Sequence, residues 1–291
     1  MSTPELKTRF IVNLRSGRAA RALPAVREFA RRQQAAVTVT EHARHASELA
    51  RQAVAEGCDL VVAVGGDGTM NEVAGALTGT PVRLGLIPCG SGDGLGRHLG
   101  IHGPIPRALE ILLSGRVRVI DSGVADGHPF FTVAGLGFEA EIAQRFNQLQ
   151  HRGFFRYLTT STTTFLRWQP EEFAVTYDGG RETFRGFTLA VANASQYGNN
   201  AYIAPDARVD DGLLNLSTIP PITGWNALPL VFRLFHGTLG RVRGVGVRRS
   251  TRFVIERASP GLLHTDGEVH AAGPRIEFTL RPASLHVMTP A

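Results

Sequence analysis

The chain has 291 residues, 43% of them hydrophobic and 19% charged, with 33 glycines and a formal net charge of +6, which suits a globular protein with one sizeable core or two. Cys58 and Cys89 are its only cysteines and neither stands in a CxxC or Cys/His cluster, so no disulfide framework or zinc site is expected and a reducing cytosol fits. No apolar run approaches the ~20 residues of a spanning helix, the start MSTPELKTRF has no signal-peptide pattern, and Lys7 is the only lysine, which excludes a Walker A loop and a protein-kinase lysine.

Along the chain the first 120 residues alternate. RFIVNL reads as a strand, and Leu23, Val26, Phe29 and Ala30 mark one face of a following helix. AVTVT is a second strand, followed by a helix face of Ala46, Leu49, Ala50 and Ala53. DLVVAV is apolar throughout, as a central parallel strand is. A short helix from Thr69, strand VRLGLI, a helix over Pro106 to Ser114 and strand VRVI complete the series. This βαβα order predicts a doubly wound parallel sheet, in which ligands sit at the carboxyl ends of the strands. After Asp121 the texture changes to short β-rich runs: FFTVA, FAVTY, FTLAVAN, LLNLSTI and RFVIER. Asp178-Gly179 marks a hairpin. A mostly antiparallel second domain is expected, interrupted by helices within 138–168 and 222–240.

The third strand ends in GGDGT (65–69). Gly65, Gly66 and Gly68 let backbone amides approach a phosphate, and the following helix N-terminus favours an anion. Asp67 is out of place beside phosphates unless a divalent cation lies between them. The turn therefore reads as a site for a metal-bound nucleotide; taken alone, Gly-Asp-Gly is equally readable as a tight turn. Two further polar turns stand at the same sheet edge, NLRSG (13–17) after the first strand and IPCGSGDGLGRHLGI (87–101). Three such turns together are not explained by packing.

These blocks resemble the catalytic domain of the diacylglycerol kinase family, with its bacterial lipid kinases and its sphingosine and ceramide kinases. That family's pattern is an Asn-Pro-x-Ser-Gly-like turn, Gly-Gly-Asp-Gly-Thr, then Pro-x-Gly-Ser/Thr-x-Asn. IDSGVADGHPFFTVAGLGFEAEIA (120–143), APDARVDDGLLNL (204–216) and TDGEV (265–269) extend the resemblance over nearly the whole chain. It implies an α/β fold: a doubly wound nucleotide-binding domain over 1–121, completed by 282–291, and a β-sandwich domain over 122–281 for the lipid. It implies an ATP-dependent lipid kinase that transfers the γ-phosphate to the hydroxyl of a diacylglycerol- or sphingoid-type lipid. Asn13, Ser16, Gly17, Thr40, Gly66, Asp67, Gly68, Thr69, Asn71, Glu72, Ser91 and Asp93 would contact ATP. Asp67 and Asp121 would surround Mg²⁺, and Glu268 would accept the proton of the lipid hydroxyl. Asp211, with the backbone of Arg208 and Leu213, would hold a second, structural metal. The sequence departs from the pattern twice: Leu14 replaces the proline, and Asp93-Gly94 stand where many members have Asn then Asp. Asp93 is then either a replacement ligand or a surplus negative charge beside the triphosphate.

An NAD kinase shares Gly-Gly-Asp-Gly-Thr, but Asn71-Glu72 and the 90–101 block favour the lipid family. A nonenzymatic nucleotide or lipid sensor is the other rival, and Glu268 argues against it. His264 and His270, flanking TDGEV, read more simply as surface or partner-satisfied residues. Phe154, Phe155, Tyr157, Phe165 and Trp168 read as core rather than lipid-facing. Arg233, Arg241, Arg243, Arg248, Arg249 and Arg252 are either solvated or face a membrane surface. The expected partner is a lipid at the cytoplasmic, inner membrane face; nucleic acid is not expected, and a homodimer stays open.

Overall fold

The computed structural model describes residues 6–147, 168–223 and 225–291. They fall into two compact units, 1–122 with 282–291, and 123–281. In the first, β1 (Thr8–Val12), α1 (Ala19–Arg32), β2 (Ala36–Val39), α2 (His45–Ala55), β3 (Leu60–Gly65), α3 (Asp67–Leu77) and β4 (Arg83–Pro88) alternate. The strands run parallel in the order β2-β1-β3-β4. All six residues of β3 are buried, because the strand is covered on both faces. The α2 face foreseen at Ala46, Leu49, Ala50 and Ala53 is its buried face. Helix α3 starts at Asp67, two residues before the expected Thr69, because extended Gly66 takes the cap position. The short α4 (Gly94–His98) and α5 (Ile105–Ser114) follow, and β5 (Arg116–Ala125) extends well past VRVI. Chain order reverses in space between β1 and β3, so the switch point of the sheet lies there.

The second unit is a β-sandwich. Here β6 (His128–Phe130) pairs with the end of β5, and β7 (Val133–Gly137) precedes α6 (Phe138–Asn147). β8 (Glu171–Tyr177) and β9 (Gly180–Gly186) form the hairpin turned by Asp178-Gly179. The remaining strands are β10 (Thr188–Ala192), β11 (Leu214–Ile219), β12 (Gly246–Ser250), β13 (Arg252–Arg257), β14 (Gly261–Thr265), β15 (Glu268–Ala272) and β16 (Arg275–Thr289). One sheet runs β12-β11-β10-β7-β14-β15, antiparallel throughout. The other layer pairs β9, β8, β13 and the first part of β16, again antiparallel. Leu136, Leu189, Leu216 and Leu263 from one layer meet Phe173, Phe253, Ile276 and Phe278 from the other in a fully buried core. Beyond Pro282, β16 belongs to the first unit and pairs in parallel with β4 through His286 and Val287.

Helix α7 (Ala227–Phe235) lies within the interval where one was expected. Strand β12 was not foreseen, since GVRRS alternates no apolar face and is held through its register with β11. Phe154, Phe155, Tyr157 and Phe165 lie outside the described residues, whereas Trp168 packs on Phe138 and donates to the Phe187 carbonyl at 2.9 Å.

Candidate active site

The three glycine-bearing turns follow β1, β3 and β4, which are neighbours at the switch point of the first unit. They touch through backbone. A Cβ on Gly17, whose φ is +49°, would stand 2.1 Å from the Cys89 carbonyl oxygen, and one on Gly90 would stand 2.9 Å from Gly66 Cα. Only glycine allows that approach. Beyond the strand ends the pairing continues, with Asn13 N–H on Val64 O at 3.0 Å, Arg18 N–H on Cys89 O at 2.9 Å and Cys89 N–H on Gly65 O at 2.7 Å. Burial pushes the Cys89 thiol up to about 11, so it stays neutral in this wall.

Several predicted ligands knit these turns together. Asn13 Nδ2 donates to Thr69 Oγ1 at 3.0 Å and Asn13 Oδ1 accepts the Arg15 N–H at 3.1 Å, tying the first turn to the second. Asp67 accepts the Asp93 and Gly94 N–H groups on its two oxygens, each at 3.0 Å, and so caps α4. Glu72 accepts the Ser47 N–H at 3.4 Å. The first turn of α3 has no side-chain cap, leaving the amides that follow Gly66 directed out of the helix end. Gly68 and Ser91 are exposed, and Ser16, Asn71 and Glu72 half-buried. A cavity of about 130 Å³ beside these turns is lined by Asn13, Arg15, Thr40, His42 and Glu72 among others. These features fit a phosphate-bearing ligand: a cradle that Cβ atoms would fill, uncapped amides and an adjoining recess.

Asp93 corrects the sequence reading. Its carboxylate is 1% exposed, turned inward, with His102 Nδ1 2.7 Å from Oδ2 and with Oδ1 buried and unpartnered. A left-handed backbone, φ +53°, turns the residue, and glycine at 96 leaves room for the carboxylate, since a Cβ there would meet Oδ1 at 2.1 Å. Its N–H is spent on Asp67. Both its carboxylate and its amide are therefore engaged within the protein, on His102 and on Asp67. Burial raises its pKa to about 6, with the His102 hydrogen bond opposing and Asp67 adding to the rise. His102, and Arg97, which donates to the Gly92 carbonyl at 2.9 Å, were not singled out from sequence: nothing in the spacing announces a contact set by one left-handed residue.

Asp121 is buried at the end of the first unit and accepts the Ala283 N–H at 2.7 Å. Asp67 keeps acceptor capacity beyond these bonds, and an oxygen ligand suits Mg²⁺. Asp121 does not join it: it lies beside Ala283 and Ser284, whose carbonyl accepts the Gly79 N–H just past the C-terminal end of α3, whereas Asp67 opens that helix of about 16 Å. The second-unit metal set does not fit. Asp211 accepts the Leu213 N–H at 3.1 Å on one oxygen and pairs with Arg249 on the other, while Arg208 is exposed. A guanidinium already neutralises the one carboxylate that a cation there would need.

In the second unit Glu268 opens β15, opposite Thr265 across the Asp266-Gly267 turn, both of whose residues have positive φ. Asp266, missed in the sequence, fixes that turn. Its carboxylate accepts the N–H groups of Phe131 at 2.7 Å and of Thr132 and Val133 at 2.9 Å, plus the Thr132 hydroxyl. Although the residue as a whole is only partly buried, burial of the carboxyl drives its pKa upward against those donors. His264 is buried and its Nδ1 accepts the Gly267 N–H at 3.4 Å, and His270 bonds Thr265 and stacks on His128, so both histidines are partner-satisfied.

Residues 7–125 match the family model for the diacylglycerol kinase catalytic domain, and residues 132–289 that for the YegS C-terminal NAD kinase beta sandwich-like domain. A Mycobacterium tuberculosis protein named diacylglycerol kinase is 31% identical over 98% of this chain and 95% of its own length. A Pseudomonas aeruginosa protein named "Probable lipid kinase YegS-like" is 31% identical over 93% and 89%. Among solved structures, a diacylglycerol kinase from Bacillus anthracis superposes with a TM-score of 0.75 at 20% identity, covering 99% of this chain and 98% of that one. An NAD kinase from Archaeoglobus fulgidus in complex with ATP reaches only 0.57 at 14% identity, covering 97% and 93%. Both likenesses concern the fold alone. With both family models and full-length relatives matched, the chain belongs to the diacylglycerol kinase catalytic-domain family of lipid kinases.

Proposed function

We propose that the protein transfers the γ-phosphate of ATP to the hydroxyl of a diacylglycerol- or sphingoid-type lipid at the inner, cytoplasmic membrane face. The observation that carries the nucleotide part is the meeting of three glycine-bearing turns at the switch point of the parallel sheet. In this reading the uncapped amides of α3 and the Ser91 hydroxyl bind phosphate oxygens, with Ser16 and Gly17 closing the opposite side. Thr40 and Glu72 line the recess beside them. Asp67 would hold Mg²⁺, which when bound neutralises charge on the transferring phosphoryl group. Glu268 takes the proton from the lipid hydroxyl, positioned by a turn that Asp266 clamps.

Glu268 weighs against the sensor reading, because a binding protein has no need of a base. An NAD kinase reading has only a distant likeness of fold behind it. Labelled-ATP turnover on a panel of diacylglycerol, sphingoid base, ceramide and phosphatidylglycerol, with NAD as a further acceptor, tests the proposal. Label should pass to a lipid and require a divalent cation. Transfer to NAD alone, or to no acceptor, would defeat it.

A further inference from the structure

From residue 212 to residue 255 the chain has no aspartate or glutamate and six arginines. Three of these are committed within the sandwich: Arg248 to Glu182 and Tyr177, Arg249 to Asp211, and Arg252 to Glu277. Arg233, Arg241 and Arg243 make no ion pair among the described residues, and the last two are exposed. They stand on and just after α7, whose sequence ALPLVFRLF is apolar on more than one side.

One stripe of α7 is spent on the fold. Leu230 is buried and Leu234 packs with it against Ile203, Ala204 and Leu239. A second stripe, at spacing i, i+3, i+4 and i+7, faces outward: Leu228 is 78% exposed, Val231 51%, Phe232 62% and Phe235 45%, with Trp225 at 94% just before the helix. A helix apolar on both sides is ordinarily enclosed by protein or by lipid, and contiguous exposed apolar surface marks an interaction site.

We propose that α7 seats the protein on an anionic bilayer. Trp225 and the outer stripe enter the boundary between headgroups and acyl chains, and Arg233, Arg241 and Arg243 meet acidic headgroups. Nine residues give a helix of roughly 13 Å, far short of the ~30 Å hydrocarbon core, so it lies along the surface instead of crossing. An aromatic ring with a polar edge suits that boundary, and cations flanking a low-charge apolar face are the pattern of interfacial helices. A second copy is a poorer occupant, since a self-complementary interface would set the arginine cluster against itself. The choice of a bilayer rests on the lipid-kinase reading as well as on this charge pattern.

The full chain should cosediment with phosphatidylglycerol–phosphatidylcholine vesicles more strongly than with phosphatidylcholine alone, with added salt narrowing the difference. Trp225→Ala/Phe232→Ala, both largely exposed, should weaken partitioning at least about tenfold. Arg241→Gln/Arg243→Gln should weaken it about fivefold per residue, on anionic vesicles only. The blue shift of tryptophan emission on vesicle addition should vanish in Trp225→Phe. Both double variants should keep wild-type turnover on a dispersed short-chain lipid. Unchanged vesicle binding by Trp225→Ala/Phe232→Ala would overturn the docking surface whatever the activity. So would a wild-type protein that ignores vesicles and instead forms a dimer broken by that variant. Vesicle binding through α7 without phosphorylation of any lipid would sink the kinase reading and leave the docking surface standing.

Discussion

Asparagine in place of Asp93 should change how stability depends on pH, and the size of the change follows from the site. Burial, with Asp67 nearby and the His102 hydrogen bond and the Arg97 charge opposing, raises this carboxyl from an ordinary 3.8 to about 6. The folded chain therefore holds the proton more tightly than the unfolded chain. That contribution is fully present below the unfolded value and is lost as pH rises through the folded value. At about 1.4 kcal/mol per pH unit, the loss amounts to about 3 kcal/mol. The substituted side chain would keep an oxygen for the His102 ring and cannot ionise. Its amide nitrogen would replace the buried, unpartnered Oδ1 at a cost of ~1–3 kcal/mol that does not vary with pH. Urea unfolding of both proteins, without nucleotide and in the presence of a chelator, isolates the varying part. Between about pH 4 and pH 8 the balance should move by up to ~3 kcal/mol in favour of Asp93→Asn, most of it between about pH 4 and pH 6. An offset that stays constant across the range would refute the buried-carboxylate account.

Gly90→Ala sets a Cβ 2.9 Å from the backbone of Gly66, so nucleotide affinity should fall at least about tenfold, read by equilibrium dialysis, with a loss of ~1–3 kcal/mol in stability; wild-type affinity would show that the two turns can part without cost. Asp67→Asn leaves one of the two α4 amides without an acceptor, so a thermal melt without metal should show ~1–3 kcal/mol of destabilisation, and an unchanged melt would remove the capping role. Glu268→Gln should lower kcat on the order of 10²–10⁴ while leaving nucleotide affinity intact; intact turnover would clear Glu268 of proton transfer.

The first unit was legible where periodicity is strong. The α2 face was read residue by residue, and the apolar run of β3 marked the centre of the sheet. The glycine turns were legible as motifs because each glycine answers a local steric demand. What the side chains do between the turns was not. Asp67 was read as a metal ligand and also proves to cap α4, a role set by where Asp93 and Gly94 present their amides. The inward rotation of Asp93 depends on one left-handed residue and on the absence of a Cβ at Gly96. In the second unit, β12 and the pairing of Arg249 with Asp211 depend on register with β11, a long-range fact with no local signature. The arginine run accordingly divides into three sandwich partners and three residues around α7.

A chain with a single lysine needs other groups to handle a triphosphate. Lys7 is at the start of the first unit, its ammonium donating to the Glu56 carbonyl at 2.5 Å, away from the glycine turns. Asp93 is withdrawn from the turns by burial, and half of the acceptor capacity of Asp67 goes to amides. Fewer carboxylate oxygens are therefore free at the turns than the sequence count of carboxylates implies. In the proposed reading phosphate meets the uncapped end of α3, the Ser16 and Ser91 hydroxyls and the exposed Arg15 and Arg18 of the first turn. Amides and arginines bind phosphate without a proton to lose near neutral pH, so above the Asp93 transition at about 6 nucleotide affinity should vary little. A pH dependence of turnover would then report the group that accepts the lipid proton rather than the groups that hold the nucleotide.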